Sequence, residues 1–247
     1  MKKRVLERTK ISLILIVLGL LPTGAFGQSA YLQNGSSGML VESAAELSNS
    51  LVFRQAGLTT SFSIAGIFDI GLQTGLRFER LNDTNSTALD TSISIGSLIL
   101  KEGGSVPFSI QLRGSYGYAN FVSSPYLLDN NLRRFGLGYR LEIAFRKDFP
   151  MNDAFAIHGE LSGGVRSYEY TTESVFTTGG GGASIRDRQV TAYTGAFSTA
   201  LFSFRNGVRF GTGVRLRYDL FIANQENGFS MDRFSIGPVL SLLIPTD

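Results

Sequence analysis

The stretch RFGLGYRLEIAFRKD, Arg134 to Asp148, sorts its side chains with period two. Phe135, Leu137, Tyr139, Leu141, Ile143 and Phe145 fall on one face; Arg134, Gly136, Gly138, Arg140, Glu142, Ala144 and Arg146 fall on the other. No helix separates these residues so cleanly, because its side chains repeat every 3.6 residues rather than every two. Val208 to Ile222 repeats the pattern, with Val208, Phe210, Val214, Leu216, Tyr218, Leu220 and Ile222 opposed to Arg209, Gly211, Gly213, Arg215, Arg217 and Asp219. These are two long amphipathic strands.

Outward from them, the same template fits Ile70 to Leu81, Val106 to Phe121 and Phe155 to Tyr170, and more weakly Met39 to Leu47, Leu58 to Ile64, Leu89 to Leu100, Gln189 to Phe204 and Arg233 to Ile244. Within Gln189 to Phe204 the apolar residues slip from odd (Tyr193, Phe197, Leu201) to even (Phe202, Phe204), which a β-bulge explains. Ten strands result. Short connections are expected at Ala65 to Ile67, Glu102 to Ser105, Pro150 to Asp153 and Arg205 to Gly207. They alternate with longer ones at Ser48 to Gly57, Asn82 to Thr87, Val122 to Arg133, Thr171 to Arg188 and Asn224 to Asp232. The Asn206-Gly207 pair marks a hairpin, glycine supplying the positive φ of a bulged three-residue loop.

Composition narrows the class. The chain has 247 residues, no Cys and no Trp, so disulfide scaffolds and thiolate metal sites are excluded. Residues 1 to 27 read as a signal peptide: cations at Lys2, Lys3, Arg4, Arg8 and Lys10, an apolar run from Ile11 to Leu21, Pro22, then small residues at Ala25 and Gly27. That run rises only about 16 Å as a helix, roughly half a hydrocarbon core. Cleavage before Gln28 is expected. Residues 28 to 37 then form a short N-terminal segment and residues 38 to 247 the folded body. The formal charge of +3 belongs to the leader; the body is nearly neutral, which excludes nucleic acid as a partner.

Alternation alone does not say which face is outside. Three features do. The apolar bands span about 10 to 12 residues, enough to cross a bilayer when tilted near 45°. Aromatics gather toward the ends of the apolar face: Phe108, Phe145, Phe149, Phe155, Phe204 and Phe210 near short turns, and Tyr116, Tyr118, Phe135, Tyr139, Tyr193 and Tyr218 toward long loops. The residues after the leader include 16 Arg but only 2 Lys, and arginine suits crowded polar interiors. With these features the chain resembles the bacterial outer-membrane β-barrel superfamily over Gly38 to Pro245. The resemblance implies an all-β, up-and-down antiparallel transmembrane barrel of about ten strands, eight or twelve being the alternatives, with both termini periplasmic. It implies a place in the outer membrane of a Gram-negative-type bacterium. A secreted soluble ligand-binding barrel and an outer-membrane hydrolase are the competing classes.

The inward face carries Glu42, Glu46, Asp69, Glu79, Asp90, Glu142, Glu160 and Asp219 beside Arg77, Arg113, Arg140, Arg146, Arg166, Arg209, Arg215 and Arg217. We expect Arg140, Glu142, Arg146, His158, Glu160, Arg166, Arg209, Arg215, Arg217 and Asp219 to form a lumenal charge cluster. It serves either as a cross-linked core or as the lining of a narrow channel. Pairing Phe149 with Phe155 would set Arg146 beside His158. His158-Gly159-Glu160 lacks the Cys-x-x-Cys that a zinc deaminase needs and lies far from the long loops; Gly179 to Gly182 lacks the Lys-Ser/Thr of a phosphate loop. No catalytic, cofactor-binding or metal site is expected. Expected partners are outer-membrane lipid and, through loop residues such as Tyr126, Leu127, Leu128, Val175 and Phe176, a small polar solute or an extracellular protein.

A closed barrel satisfies its backbone internally and resists detergent until boiled. The protein should therefore migrate differently on gels with and without boiling and should fractionate with membranes; unchanged mobility and a soluble product would contradict the barrel.

Overall fold

A computed structural model describes residues 37–48, 53–81, 84–103, 105–175, 184–224 and 234–246. The export segment, Phe176 and the Gly179 to Gly182 run lie outside the described residues. Ten strands follow in chain order: β1 (Gly38–Ser48), β2 (Phe53–Ile64), β3 (Phe68–Leu81), β4 (Thr84–Leu100), β5 (Ser109–Ser123), β6 (Leu132–Asn152), β7 (Phe155–Ser174), β8 (Ser184–Ser203), β9 (Arg209–Asn224) and β10 (Phe234–Pro245). Among the described residues one short helix, α1 (Pro125–Asp129), stands between β5 and β6. Each strand pairs antiparallel with its neighbours in sequence, and β1 closes the ring on β10 from Gly38 opposite Pro245 to Ser48 opposite Ser235. This is the up-and-down barrel expected.

The facing follows from the alternation. Leu72, Ile93, Leu141 and Leu161 are 54%, 60%, 59% and 64% exposed, whereas Arg77, Gln111, Glu142 and Asp219 are 2%, 0%, 5% and 0% exposed. Apolar groups thus cover the outside and charged groups fill the inside. A soluble barrel requires the reverse, so that alternative is overturned. Aromatic pairs mark both ends of the apolar band: Phe108 meets Phe145 edge-on at 5.6 Å and Phe155 meets Phe202 at 5.2 Å near the turns, and Tyr118 meets Phe135 at 6.3 Å near the loops.

Several local expectations are corrected. β8 does not slip: Tyr193, Phe197 and Leu201 are buried in the lumen, while Phe202 points outward. Tyr193 therefore leaves the outer aromatic belt. The irregularity lies in β9, where Leu220 is the extra residue between Asp219 opposite Tyr193 and Phe221 opposite Ala192. The interior accepts these apolar groups because Phe197 and Leu201 cluster there with Leu40, Ala44, Val239 and Leu243.

The division into long and short connections also changes. β4 begins at Thr84, paired with Leu81, so the expected loop Asn82 to Thr87 shrinks to two residues. Likewise β2 starts at Phe53, inside the expected loop Ser48 to Gly57. The expected short turn Glu102 to Ser105 is instead an excursion from β4 to β5 held by the Gly103–Val106 bridge. Backbone ladders need no apolar outer face once the chain has left the lipid, so strands outrun the hydrophobic pattern that reveals them. Pro150 does not end β6 either: the β5 ladder begins only at Ser109 opposite Arg146, so beyond that point β6 has a free edge that tolerates proline. The turn is Asp153-Ala154, with the Ala154 amide donating to Asn152 Oδ1 at 2.9 Å. Phe149 consequently faces Ile157, and His158 faces Asp148 rather than Arg146.

An arginine on the lipid face at mid-membrane costs about 2 to 4 kcal/mol. Leu141→Arg should accordingly reduce the yield of folded, heat-modifiable protein, while Leu141→Ala should not. Equal yields from the two would mean that this face does not meet lipid.

Candidate functional site in the barrel lumen

The turn end of the barrel opens into a mouth of about 900 Å³ whose lining includes Lys101, Asp148, His158 and Arg209. His158 Nδ1 lies 2.6 Å from Asp148 Oδ1, and its ring meets Phe197 edge-on at 6.1 Å. Further in, Arg113 is the hub. Its Nη1 and Nη2 donate to the two oxygens of Glu160 at 2.9 and 2.5 Å, and Nη1 donates to Glu142 Oε1 at 2.7 Å. Arg146 Nε donates to Glu160 at 3.0 Å, and the Tyr193 hydroxyl donates to Glu142 at 2.7 Å. Arg113 Nε also donates to Gln111, whose amide reaches Asp69 at 2.5 Å. Such a bidentate fork is what arginine offers and lysine does not.

A second group surrounds Asp219. Arg54 and Arg217 both bond it, the latter at 3.0 Å, and Arg166 stands 3.8 Å away. Arg217 also lies 4.3 Å over the Tyr193 ring. Beside it Arg215 donates to Glu42 at 3.0 Å and covers Phe197 at 5.0 Å. Toward the loops, arginine stacks on tyrosine inside the lumen. Arg77 lies 4.4 Å over Tyr168 and donates to the Tyr170 hydroxyl at 2.7 Å, and Arg134 sits 4.6 Å over Tyr170 while bonding Asp187 at 2.5 Å. Taking these charges out of water costs several kcal/mol each, and only pairing of this density offsets it.

The ten expected residues do share the inward face, but they divide. Glu142, Arg146 and Glu160 are joined by Arg113; Arg166, Arg217 and Asp219 form the second group; Arg215 goes to Glu42. Arg140 lies 5.5 Å from the Tyr193 ring, and His158 and Arg209 line the mouth. Missing from the expected cluster were Arg54, Asp148, Asp187, Arg134 and the interior tyrosines. Arg54 is the extra residue of a bulge, between Leu47 opposite Phe53 and Glu46 opposite Gln55, so no alternation could place it. Asp187 lay in an expected loop. Arg134 and Tyr170 were visible in strand patterns, and a count of arginines against inward aromatics would have paired them. Among the described residues no three acidic or imidazole groups converge as a metal site.

No protein-family model matches the chain, and no curated protein matches it. Among solved structures it is similar to Neisserial surface protein A, with 10% identity over 85% of this chain and 96% of that one and a TM-score of 0.34. The N-terminal β-barrel domain of Pseudomonas aeruginosa OprF shares 13% identity over 86% and 100%, with a TM-score of 0.33. The outer membrane protease OmpT from Escherichia coli shares 10% over 85% and 93%, with a TM-score of 0.37. At this distance the likeness is one of architecture.

Arg113→Leu should leave Glu160 with Arg146 alone and Glu142 with only the Tyr193 hydroxyl, and destabilise the barrel by about 3 to 5 kcal/mol. Arg146→Leu should cost less, since Glu160 keeps Arg113. Urea titration of the unboiled gel band measures both. A neutral Arg113→Leu would mean that water reaches those carboxylates.

Proposed function

We propose that the protein is a non-enzymatic barrel of the bacterial outer membrane that serves as a scaffold for its loop-end surface, with a lumen closed to solutes. The observation that carries this reading is the bonded side-chain filling from Arg146 to Arg134, in which every residue of the Arg113 hub is buried. A barrel of eight strands is filled by side chains and one of 16 holds a channel, and ten strands lie near the filled end. The mouth at the turns ends against this filling. His158 supports the same reading, being buried beside Phe197 with its ring bonded to Asp148.

The surface offered outside is built on α1. Ser124 caps it, accepting from the Leu127 amide at 3.4 Å, and its hydroxyl accepts from Ser86 of β4 at 2.8 Å, which ties the helix to the rim. Leu127 is buried and packs the helix down, but Leu128 is 71% exposed. Val175, also exposed, is held alongside by its amide, which donates to the Asn131 carbonyl at 2.8 Å. Exposed apolar groups on a tethered rim suit contact with an extracellular protein.

Because the chain has no cysteine, placement can be read by labelling. A Leu128→Cys variant should react with a membrane-impermeant maleimide on intact cells, and Asn206→Cys, in the opposite turn, only after lysis. The reverse order would invert the barrel, and no labelling of either on intact or lysed cells would remove it from the envelope. In planar bilayers the purified protein should show no conductance steps. Reproducible steps would replace the closed scaffold by a narrow channel.

A further inference from the structure

The outer wall of the barrel is unevenly covered. Where β6 to β9 lie side by side, Lys147 stands opposite Gly159, Gly159 opposite Ser198 and Ser198 opposite Val214, one line across four strands. All four positions face outward, and the glycine and serine project little. Around that line Phe108, Phe145, Leu161 and Leu216 stand up as walls of an open groove of about 610 Å³, a size at which small molecules bind. Phe108 and Phe145 meet edge-on, which makes their side of it a continuous aromatic face. A Cβ placed on Gly159 would touch nothing nearer than the Phe149 ring at 3.8 Å, so no protein atom fills the groove above its floor.

Strands of a closed barrel tilt against its axis, so a line drawn straight across them changes height. The line that leaves Gly38, at the turn end of β1, arrives at Asp219, toward the loop end of β9. Lines across this sheet therefore climb loopward from β1 to β9. The groove has its foot at Lys147, just past the point where Ser109 begins the β5 ladder, and rises to Val214 within the apolar band. That is the course of an acyl chain in the leaflet at the turn end. At the foot the Lys147 ammonium bonds the Glu102 carboxylate, and the two side chains are 40% and 26% exposed. The nearby Lys101 and Asp148 belong to the lumenal mouth, where Asp148 is held by His158. A purely anionic headgroup would meet a lysine already answered by Glu102 and would bring its charge against that carboxylate. A headgroup with both a phosphate and an ammonium satisfies both members of the pair. We propose that the groove binds one zwitterionic phospholipid, with an acyl chain over Gly159 and Ser198, its phosphate at Lys147 and its ammonium at Glu102. The site rests on the barrel's lying in a bilayer with its turn end at a phospholipid leaflet.

Native mass spectrometry of the folded protein, released from detergent micelles doped with equal amounts of phosphatidylethanolamine and phosphatidylglycerol, tests the site. One phosphatidylethanolamine per barrel should remain bound after phosphatidylglycerol has been stripped. Gly159→Leu and Ser198→Leu add bulk outside the barrel and leave the lumen alone. Each should cut retention by about tenfold or more, since displacing two methylene groups from the groove suffices for that. Thr74→Leu, on the outer face of β3, should leave retention unchanged. Glu102→Gln should keep the chain bound and shift the preference toward phosphatidylglycerol. No retained lipid, equal retention of the two lipids, full retention by a folded Gly159→Leu barrel, or an unchanged preference in Glu102→Gln would each overturn the proposal. Should neither leucine variant give a heat-modifiable band, the headgroup preference of the unaltered protein and of Glu102→Gln decides. None of these outcomes alters the cysteine-labelling pattern, so loss of this site is distinguishable from failure of the membrane reading.

Discussion

No amide inside a hydrocarbon layer can give its hydrogen bond to water, so every strand must find two partners. The pairing of β1 with β10 is the contact that meets this demand for the whole ring. Once those strands are joined, the circumference is set by ten strands, and the inward residues meet one another across the lumen. That proximity brings large side chains such as Arg77, Tyr170, His158 and Gln111 into full burial.

Filling a narrow tube with charges is tolerable only where each charge meets another. Arginine dominates because one planar group bonds two carboxylates, as Arg113 does, or lies flat on a ring, as Arg77 and Arg134 do. Lysine, a compact and strongly hydrated charge, is kept to the turn end, where Lys147 bonds Glu102 and Lys101 lines the mouth. The apolar cluster around Leu40 and Leu243 is drawn from β1, β8 and β10, the same wall that carries Glu42, Arg215 and Asp219 in and around it, so apolar and charged residues share that side of the lumen.

The fold was legible because Arg134 to Asp148 and Val208 to Ile222 carry an unbroken alternation, and ten such segments require a ring. The facing was legible from the scarcity of lysine and the aromatic belts. What alternation could not reach is anything that breaks it or does without it. The bulges that turn Arg54 inward and set Leu220 aside shift a register by one residue with no compositional mark. Strand ends such as Thr84 to Ser86 and Arg186 to Arg188 are polar on both faces and read as loop. Pro150 read as a breaker because the end of β5, which makes it harmless, is not a property of its own neighbourhood. Pairings across the lumen, such as Arg54 with Asp219, join residues 165 apart in sequence and depend on how the ring closes.

The ring is also uneven in height. β6, β7 and β8 run for 21, 20 and 20 residues, against 11 and 12 in β1 and β2. Part of the surplus lies at the turn end, where β6 runs on past Arg146, and part at the loop end, where β9 outruns β10 and β8 outruns β9. Seen from outside, the molecule is a crest with a low side, on which β3 passes to β4 through only two residues. A body approaching the loop end meets longer paired strands on the β7 to β9 flank than on the β1 and β2 flank, so contact with that end is not the same from every side.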